Sequence, residues 1–304
     1  MDVLVAMQVF RRVVEAQSFT RAARSLRLSN AAVSKHVGAL EERLNAKLIQ
    51  RTTRRMSLTT AGAAYYERCA RILDDLEETE QALSGAAAKP HGLLRVNAPM
   101  SFSLLHLSPL VPELLERWPA LELDMSFTDQ FVDVVEEGVD VVIRIASTLP
   151  DSATLVVQRL AGARQVLVAS PSYLQKHGEP KTLADIAKHA CIVYSLSRSP
   201  GAWDFKQGGA PARVPVNARL RFNNSLAVRD AALAGLGLAV LPSFYVDAEL
   251  RKRRLRALLC DAELAPLHIY AAYQRPKQLS AKVRVFVEFL RERFGQAPWS
   301  AREP

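Results

Sequence analysis

Residues 26–44 read LRLSNAAVSKHVGALEERL, and this stretch constrains the chain more than any other. Val33, Val37, Leu40 and Leu44 recur at helical spacing and form one apolar stripe. The other flank holds Ala31, Ser34, Lys35 and Gly38, small or polar and faintly basic. A surface helix ordinarily carries charged and polar side chains on its outer face. A nearly bare flank instead lets another body approach the helix axis.

The neighbouring residues suit a small helical unit. Leu4, Met7, Phe10 and Val14 step along a first amphipathic helix. In SFTRAARSL, Ser18 or Thr20 can cap a second, short helix by accepting its free N–H groups. Ala22 and Ala23 are small enough for another helix to cross closely. RLS is the turn, Ser29 caps the third helix, and Asn45 can take the left-handed conformation that ends it. KLIQRTTRRMSLTT reads as two short strands around an Arg-rich tip.

Helix–turn–helix plus hairpin is a winged helix, and the DNA major groove admits one α-helix. Small Ala31 and Gly38 let the axis sit deep, and the helix N-terminus favours phosphate. Asn30 suits adenine, Lys35 suits guanine or a phosphate, Ser34 is permissive, and His36 lies toward the edge. Arg54 and Arg55 at the wing tip can enter the adjacent minor groove. Thr20, Arg21 and Arg51 are phosphate candidates. The alternative is a solvated helix face with ordinary charges.

Charge is sorted by segment. Residues 1–60 hold eleven Lys/Arg against four acids, most of a chain excess of +9, whereas residues 61–88 are acidic. That pattern fits an anion-binding module followed by something else. Cys69, Cys191 and Cys260 give neither a disulfide framework nor zinc spacing. No signal peptide or membrane-length apolar run is present, so a cytoplasmic protein is expected.

Thr59 or Thr60 opens a long helix. Tyr65, Cys69, Ile72, Leu76, Thr79 and Leu83 alternate steps of four and three, a coiled-coil seam expected to pair with a second copy. Packing on its own domain is the alternative. Gly85, Pro90 and Gly92 mark a hinge. From Leu93 onward, strands (LLRVNA, LELDMSF, VDVVIRI, ARQVLVA, CIVY, RLRF, LGLAVLP, LHIYAAY) alternate with helices at 103–117, 130–137, 224–235 and 279–294. This predicts an α/β fold with largely parallel strands, long enough for two lobes.

The stretch SFTRAARSLRLSNAAVSKHVGALEERLNAKLIQRTTRRMSLTTAG resembles the N-terminal domain of LysR-type transcriptional regulators. The resemblance continues through ASPSYL, AALAGLGLAVLPSF and VRVFVEFLRERF, over nearly the whole chain. Arg27 stands where the family often has glycine, Asn30-Ala31 replaces Gln-Pro or Gln-Ala, and Gly38 often carries arginine. The resemblance implies a mixed fold. A winged helix-turn-helix DNA-binding domain (1–60) leads through a linker and dimerisation helix (61–88) to an α/β effector-binding domain (91–304). That domain is like periplasmic binding proteins, with lobe one at 91–162 and 268–304 and lobe two at 163–267. It further implies a homodimer, usually a tetramer, on inverted-repeat double-stranded DNA, with RNA polymerase as a further partner.

Open α/β sheets bind ligands beyond the carboxyl ends of their strands. That places Ser101, Phe102 and Ser103 after RVNAP, Thr128 after LELDMSF, and Asn224 with Ser225 after RLRF around an effector site. Ser101 and Thr128 also fall where family members contact small organic anions, so such an effector is expected and no cofactor. Helix capping is the competing role for these hydroxyls. Arg198 can pair a carboxylate. Trp203 and Phe205 read as packing. No nucleotide, hydrolase or metal motif appears, which leaves no enzyme signature. A redox sensor needs paired reactive thiols, and Cys191 and Cys260 are far apart. A ligand-independent DNA binder has no use for two hundred residues of α/β fold.

Overall fold

The computed structural model describes residues 2–51, 56–83, 90–130, 138–150, 152–197, 199–259, 261–275, 280–296 and 299, without the side chains of 51, 75, 78–79 and 81–83. The chain divides into two compact units, Met1–Ala88 and Lys89–Pro304. No helix among the described residues is long and apolar enough to cross a membrane.

In the first unit, α1 (Val3–Ala16) starts at Asp2, whose carboxylate accepts the N–H groups of Leu4 and Val5. It buries Ala6, Met7, Val9, Phe10, Val13 and Val14, while Leu4 is exposed. Ser18 is the residue that caps α2 (Phe19–Leu26), accepting the N–H of Arg21. The turn passes through Arg27 at φ 55°, the left-handed region that favours glycine. In α3 (Asn30–Leu44), Ser29 accepts the N–H of Ala32, and Asn45 ends the helix at φ 46°. Val33, Val37 and Leu40 are buried against α1 and α2, whereas Leu44 is partly exposed. Strands β1 (Ile49–Arg51) and β2 (Met56–Leu58) pair antiparallel as the wing. The expected wing-tip residues Arg54 and Arg55 and the Arg51 side chain lie outside the described residues.

Glu41 fixes the wing to α3. Its carboxylate is buried and accepts the backbone N–H groups of Leu48 (2.9 Å) and Ile49 (3.1 Å), with Lys47 at 2.7 Å. Burial pushes this carboxyl up, but the bonds from Lys47, Ile49 and Leu48 outweigh it and hold the group below the usual glutamate range. Helix α4 (Thr60–Leu83) begins beside the same strand. Thr59 donates its hydroxyl to Lys47 O and accepts the N–H of Gly62. A Cβ at Gly62 would overlap the Leu48 carbonyl, so only glycine lets α4 lie this close to the wing.

The proposed seam on α4 divides. Tyr65 packs on Phe10 (ring centroids 5.7 Å apart), and Cys69 is buried with its thiol on Met7 O. Leu73 is buried with them, and Arg11 pairs with Asp74 at 2.6 Å. Cys69 is therefore covered by α1 within its own domain rather than lying on a dimer seam as expected, and Tyr65 packs on the same domain while remaining partly exposed. Ile72 is 52% exposed and Leu76 half-buried. The Thr79 and Leu83 side chains lie outside the described residues.

The second unit opens with β3 (Gly92–Ala98). A helical stretch follows: α5 (Met100–Phe102), a π segment (Ser103–Leu107), a 3-10 turn (Ser108–Leu110) and α6 (Val111–Arg117). Next come β4 (Leu121–Phe127), β5 (Val141–Ala146), β6 (Leu155–Ala163), β7 (Gln165–Ala169) and α7 (Pro171–His177). After a 3-10 segment (Leu183–Lys188) the chain forms β8 (Ala190–Tyr194), β9 (Ala202–Gln207), β10 (Ala210–Pro215) and β11 (Asn217–Phe222). It closes with α8 (Ser225–Leu233), β12 (Leu238–Pro242), α9 (Ser243–Arg251), β13 (Arg256–Ala257), β14 (Ala262–Leu264), β15 (Leu267–Gln274) and α10 (Ala281–Gly295). The helix expected at 130–137 lies almost wholly outside the described residues.

Two five-stranded sheets result, ordered β4-β3-β5-β15-β6 and β11-β8-β12-β7-β13. Each has two parallel and two antiparallel pairings, so the expectation of largely parallel strands is corrected. The antiparallel pairs arise where the chain passes between lobes and returns: β15 comes back between β5 and β6, and β7 lies between β12 and β13. A three-stranded sheet, β10-β9-β14, escaped the sequence reading. Trp203 and Phe205 on β9 fill the core beneath it, as packing residues. One apolar core runs through both lobes, from Leu94 and Ile143 to Ile192 and Ala239.

Two outcomes follow from the wing geometry. Gly62→Ala forces Leu48 away from α4 and should destabilise the protein by about 1–3 kcal/mol, as overpacking does, read by thermal unfolding. Glu41 has a lowered folded-state pKa, so its contribution is present above the ordinary glutamate range and is lost as pH falls below that range through the folded-state pKa. Glu41→Gln should therefore lower stability at neutral pH and flatten its decline in acid, measured by denaturant melts across pH.

Candidate functional site

On α3 the apolar stripe faces inward and the opposite flank is open. Asn30, Ala31 and Lys35 are exposed, while Ser34, His36 and Gly38 are half-buried. A Cβ on Gly38 would meet nothing within 4 Å. Glycine costs a helix about 1 kcal/mol against alanine, and no packing inside the unit requires it here. Thr20 accepts a bond from the Asn30 amide at 3.3 Å, joining the start of α2 to the start of α3. Thr20, Arg21 and Ser29 are all exposed beside that end, although the Ser29 hydroxyl is engaged in capping. The first turn of α3 carries no acid. Its partial positive charge therefore faces outward with Lys35, which suits a phosphate. The geometry offers a convex, slightly basic ridge of helix, the shape a major groove accepts.

In the second unit, the carboxyl ends of β3 and β4 meet those of β8, β11 and β12. Ser101 is buried, and its hydroxyl accepts the N–H of Leu226 from the other lobe at 3.4 Å. Thr128 is half-buried, donates its N–H to Ala98 O and accepts that of Gln130. Asn224 caps α8, accepting from Leu226 and Ala227. Ser103 is fully buried, with a hydroxyl that has no partner among the described residues. Phe102 is not an effector contact: it is fully buried among Phe244, Phe294, His106 and Trp299. Its strand-to-helix position points it into the seam between the lobes. His106 Nε2 bonds Phe244 O at 3.0 Å across that seam. Arg198 lies outside the described residues.

Sequence reasoning missed several residues here. Asp129 accepts the N–H of Met100 at 3.2 Å, so the start of α5 already holds a carboxylate from its own chain. Burial raises the Asp129 carboxyl, opposed by the Met100 bond and by Arg144. Tyr194 and Tyr245 are pushed up by burial and by the nearby Asp129, while Ser225 bonds the Tyr245 hydroxyl. Arg144 donates to Asn97 Oδ1 at 2.9 Å, and Asn97 donates to Ser126 at 2.9 Å. One signal was available, since a single arginine inside the apolar strand VVIRIA has to find polar company.

The described thiols are unsuited to redox chemistry. Burial pushes Cys69 up to about 11 and Cys191 up to about 12, so neither carries thiolate at neutral pH. Cys260 lies outside the described residues. Among the described residues no His/Cys/Asp/Glu group could hold a metal ion.

Residues 4–63 match the bacterial regulatory helix-turn-helix protein, lysR family, and residues 87–295 match the LysR substrate binding domain. The chain is 34% identical over 291 residues to the HTH-type transcriptional regulator CrgA of Neisseria meningitidis serogroup C, covering 95% of this chain and 96% of that one. It is 33% identical to the HTH-type transcriptional regulator DmlR of Escherichia coli, covering 95% and 94%. In structure it is similar to CrgA, a LysR-type transcriptional regulator from Neisseria meningitidis, with TM-score 0.63 and 32% identity over 96% and 98% of the two chains. It is also similar to the full-length Vibrio cholerae virulence activator AphB, with TM-score 0.58 and 26% identity over 94% and 98%.

Gly38→Ala separates helix stability from groove contact. The variant should melt higher, by the equivalent of about 1 kcal/mol, yet hold duplex DNA severalfold more weakly in a titration. Unchanged DNA affinity would remove Gly38 from the contact face.

Proposed function

This chain belongs to the LysR family of DNA-binding transcriptional regulators, and from that premise we propose that α3 reads an operator under the control of a small organic effector held between the lobes of the second unit. The observation that carries the reading is the open flank of α3 at Ala31, Ser34, Lys35 and Gly38. Asn30, Ser34 and Lys35 reach base edges. Thr20, Arg21 and Arg51 hold phosphates, and Arg54 and Arg55 enter the minor groove. The protein acts as a homodimer, with Ile72 and Leu76 on the outer face of α4 as contacts. Twofold symmetry then asks for inverted half-sites about 10 bp apart. Dimers assemble further into tetramers on bent DNA in the cytoplasm, in reach of RNA polymerase.

The effector site comprises Ser101, Thr128, Asp129, Asn224 and Ser225. Asp129 adds a requirement to the expected acid: the effector also offers a hydrogen-bond donor, such as a hydroxyl, to that carboxylate. Differential binding to two lobe arrangements shifts the spacing of the α3 pair. The protein binds and reports; it does not catalyse.

Genome-wide mapping of bound sites supplies the operator for the test. Lys35→Ala should weaken operator binding by about 1–3 kcal/mol, and Ser34→Ala by less, with sedimentation unchanged. Wild-type affinity in both variants would overturn the groove assignment. Thr128→Ala should alter the response to metabolites of the neighbouring genes while basal DNA binding stays the same. An intact response would exclude Thr128 from the site.

A further inference from the structure

Residues 251–256 read RKRRLR, five cations in six positions, at the end of α9 in the effector-binding unit. All five side chains are exposed, and Leu255 between them is buried. Arg254 pairs with Glu249, Arg256 pairs with Glu179 at 3.0 Å, and Arg251 lies near Asp247. Lys252 and Arg253 have no ion pair among the described residues. Helix termination does not explain the run. The last carbonyls of α9, on Ala248, Glu249 and Leu250, already accept the N–H groups of Lys252, Arg254 and Arg253. The helix dipole favours cations only within the last turn, and this run extends past it.

Two of the five cations border a concave strip. Arg253 and Arg256, with Pro171, Leu250, Leu255 and Ala257, line an open groove of about 590 Å³. A cleft edged by one sign of charge focuses potential outward and gathers counter-ions. The partner that this chemistry fits is a polyanion, and the chain already holds one, since it is a DNA-binding regulator. Tethering makes a weak second contact effective, because the duplex held by the first unit is present at high local concentration.

We propose that Arg251, Lys252 and Arg253 form a second, sequence-independent DNA surface, on which the effector-binding unit takes the sugar–phosphate backbone. Each phosphate neutralised contributes about 0.9 to the slope of log affinity against log salt. These contacts carry no base information. They add affinity uniformly across sequences and lend the effector-binding unit a direct hold on the DNA.

The test uses the full chain, a long random-sequence duplex and fluorescence anisotropy across salt concentrations. The variant is R251Q/K252Q/R253N; asparagine at 253 tolerates the φ of 56° found there. The expected result is a salt slope shallower by about 2–3 and an affinity at least about tenfold lower, with wild-type melting and oligomeric state. The companion R251K/R253K variant keeps the charge and should restore both. Slope and affinity equal to wild type would overturn the proposal. An unchanged slope with altered sedimentation would also overturn it, and would assign the patch to an acidic face of a second copy. Arg21→Ala, at a phosphate contact proposed in the first unit, is the positive control for sequence-independent DNA binding in the same assay.

Discussion

The carboxylate of Glu41 holds the reading head in register. It stands near the end of α3, out of water, and takes two backbone N–H groups from the start of the wing. Without it those amides would be buried and unpaired, a penalty of about 1–3 kcal/mol each. The next residues continue the chain of constraints: the Leu48 carbonyl faces Gly62, and Thr59 ties Lys47 to the first turn of α4. Recognition helix, wing and linker helix thus meet at one strand. These three elements therefore cannot shift independently of one another.

The second unit rests on a different device. Its two lobes share an apolar core and are further joined by an aromatic group around Phe102, Phe244, Phe294 and Trp299. Polar bonds across the seam, Ser101 to Leu226 and His106 to Phe244, give the lobe arrangement a direction as well as a depth. Aromatic packing tolerates tilting, whereas a hydrogen bond between lobes is either made or broken. The two bonds therefore define the lobe arrangement more sharply than the aromatic packing does.

Much of this architecture was legible from residues alone. Helix caps at Ser29 and Asn45, the antiparallel wing, and most strands of the second unit follow from local chemistry that tertiary packing left intact. Part of the α4 stripe, at Tyr65 and Cys69, packs on α1 instead of another chain, because a step of four and three looks alike for either partner and periodicity does not name it. The mixed sheets were misread because alternation of strand and helix says nothing about where the chain crosses and returns. Phe102 was placed by its position after a strand, yet its size sent it into the apolar seam. Asp129 and Tyr245 escaped notice because neither belongs to a spacing pattern, and only the folded chain brings them together.

The turn at Arg27 has a quieter consequence. Its left-handed backbone is the kind of position that glycine occupies without strain, yet a long cationic side chain stands there, exposed beside the start of α3. Holding such a residue in that conformation costs about 1 kcal/mol, so the module keeps a small reserve of unclaimed stability. A single replacement by glycine would release it, at the loss of one positive charge next to the open flank of α3. The corner thus trades rigidity against electrostatic grip within one codon.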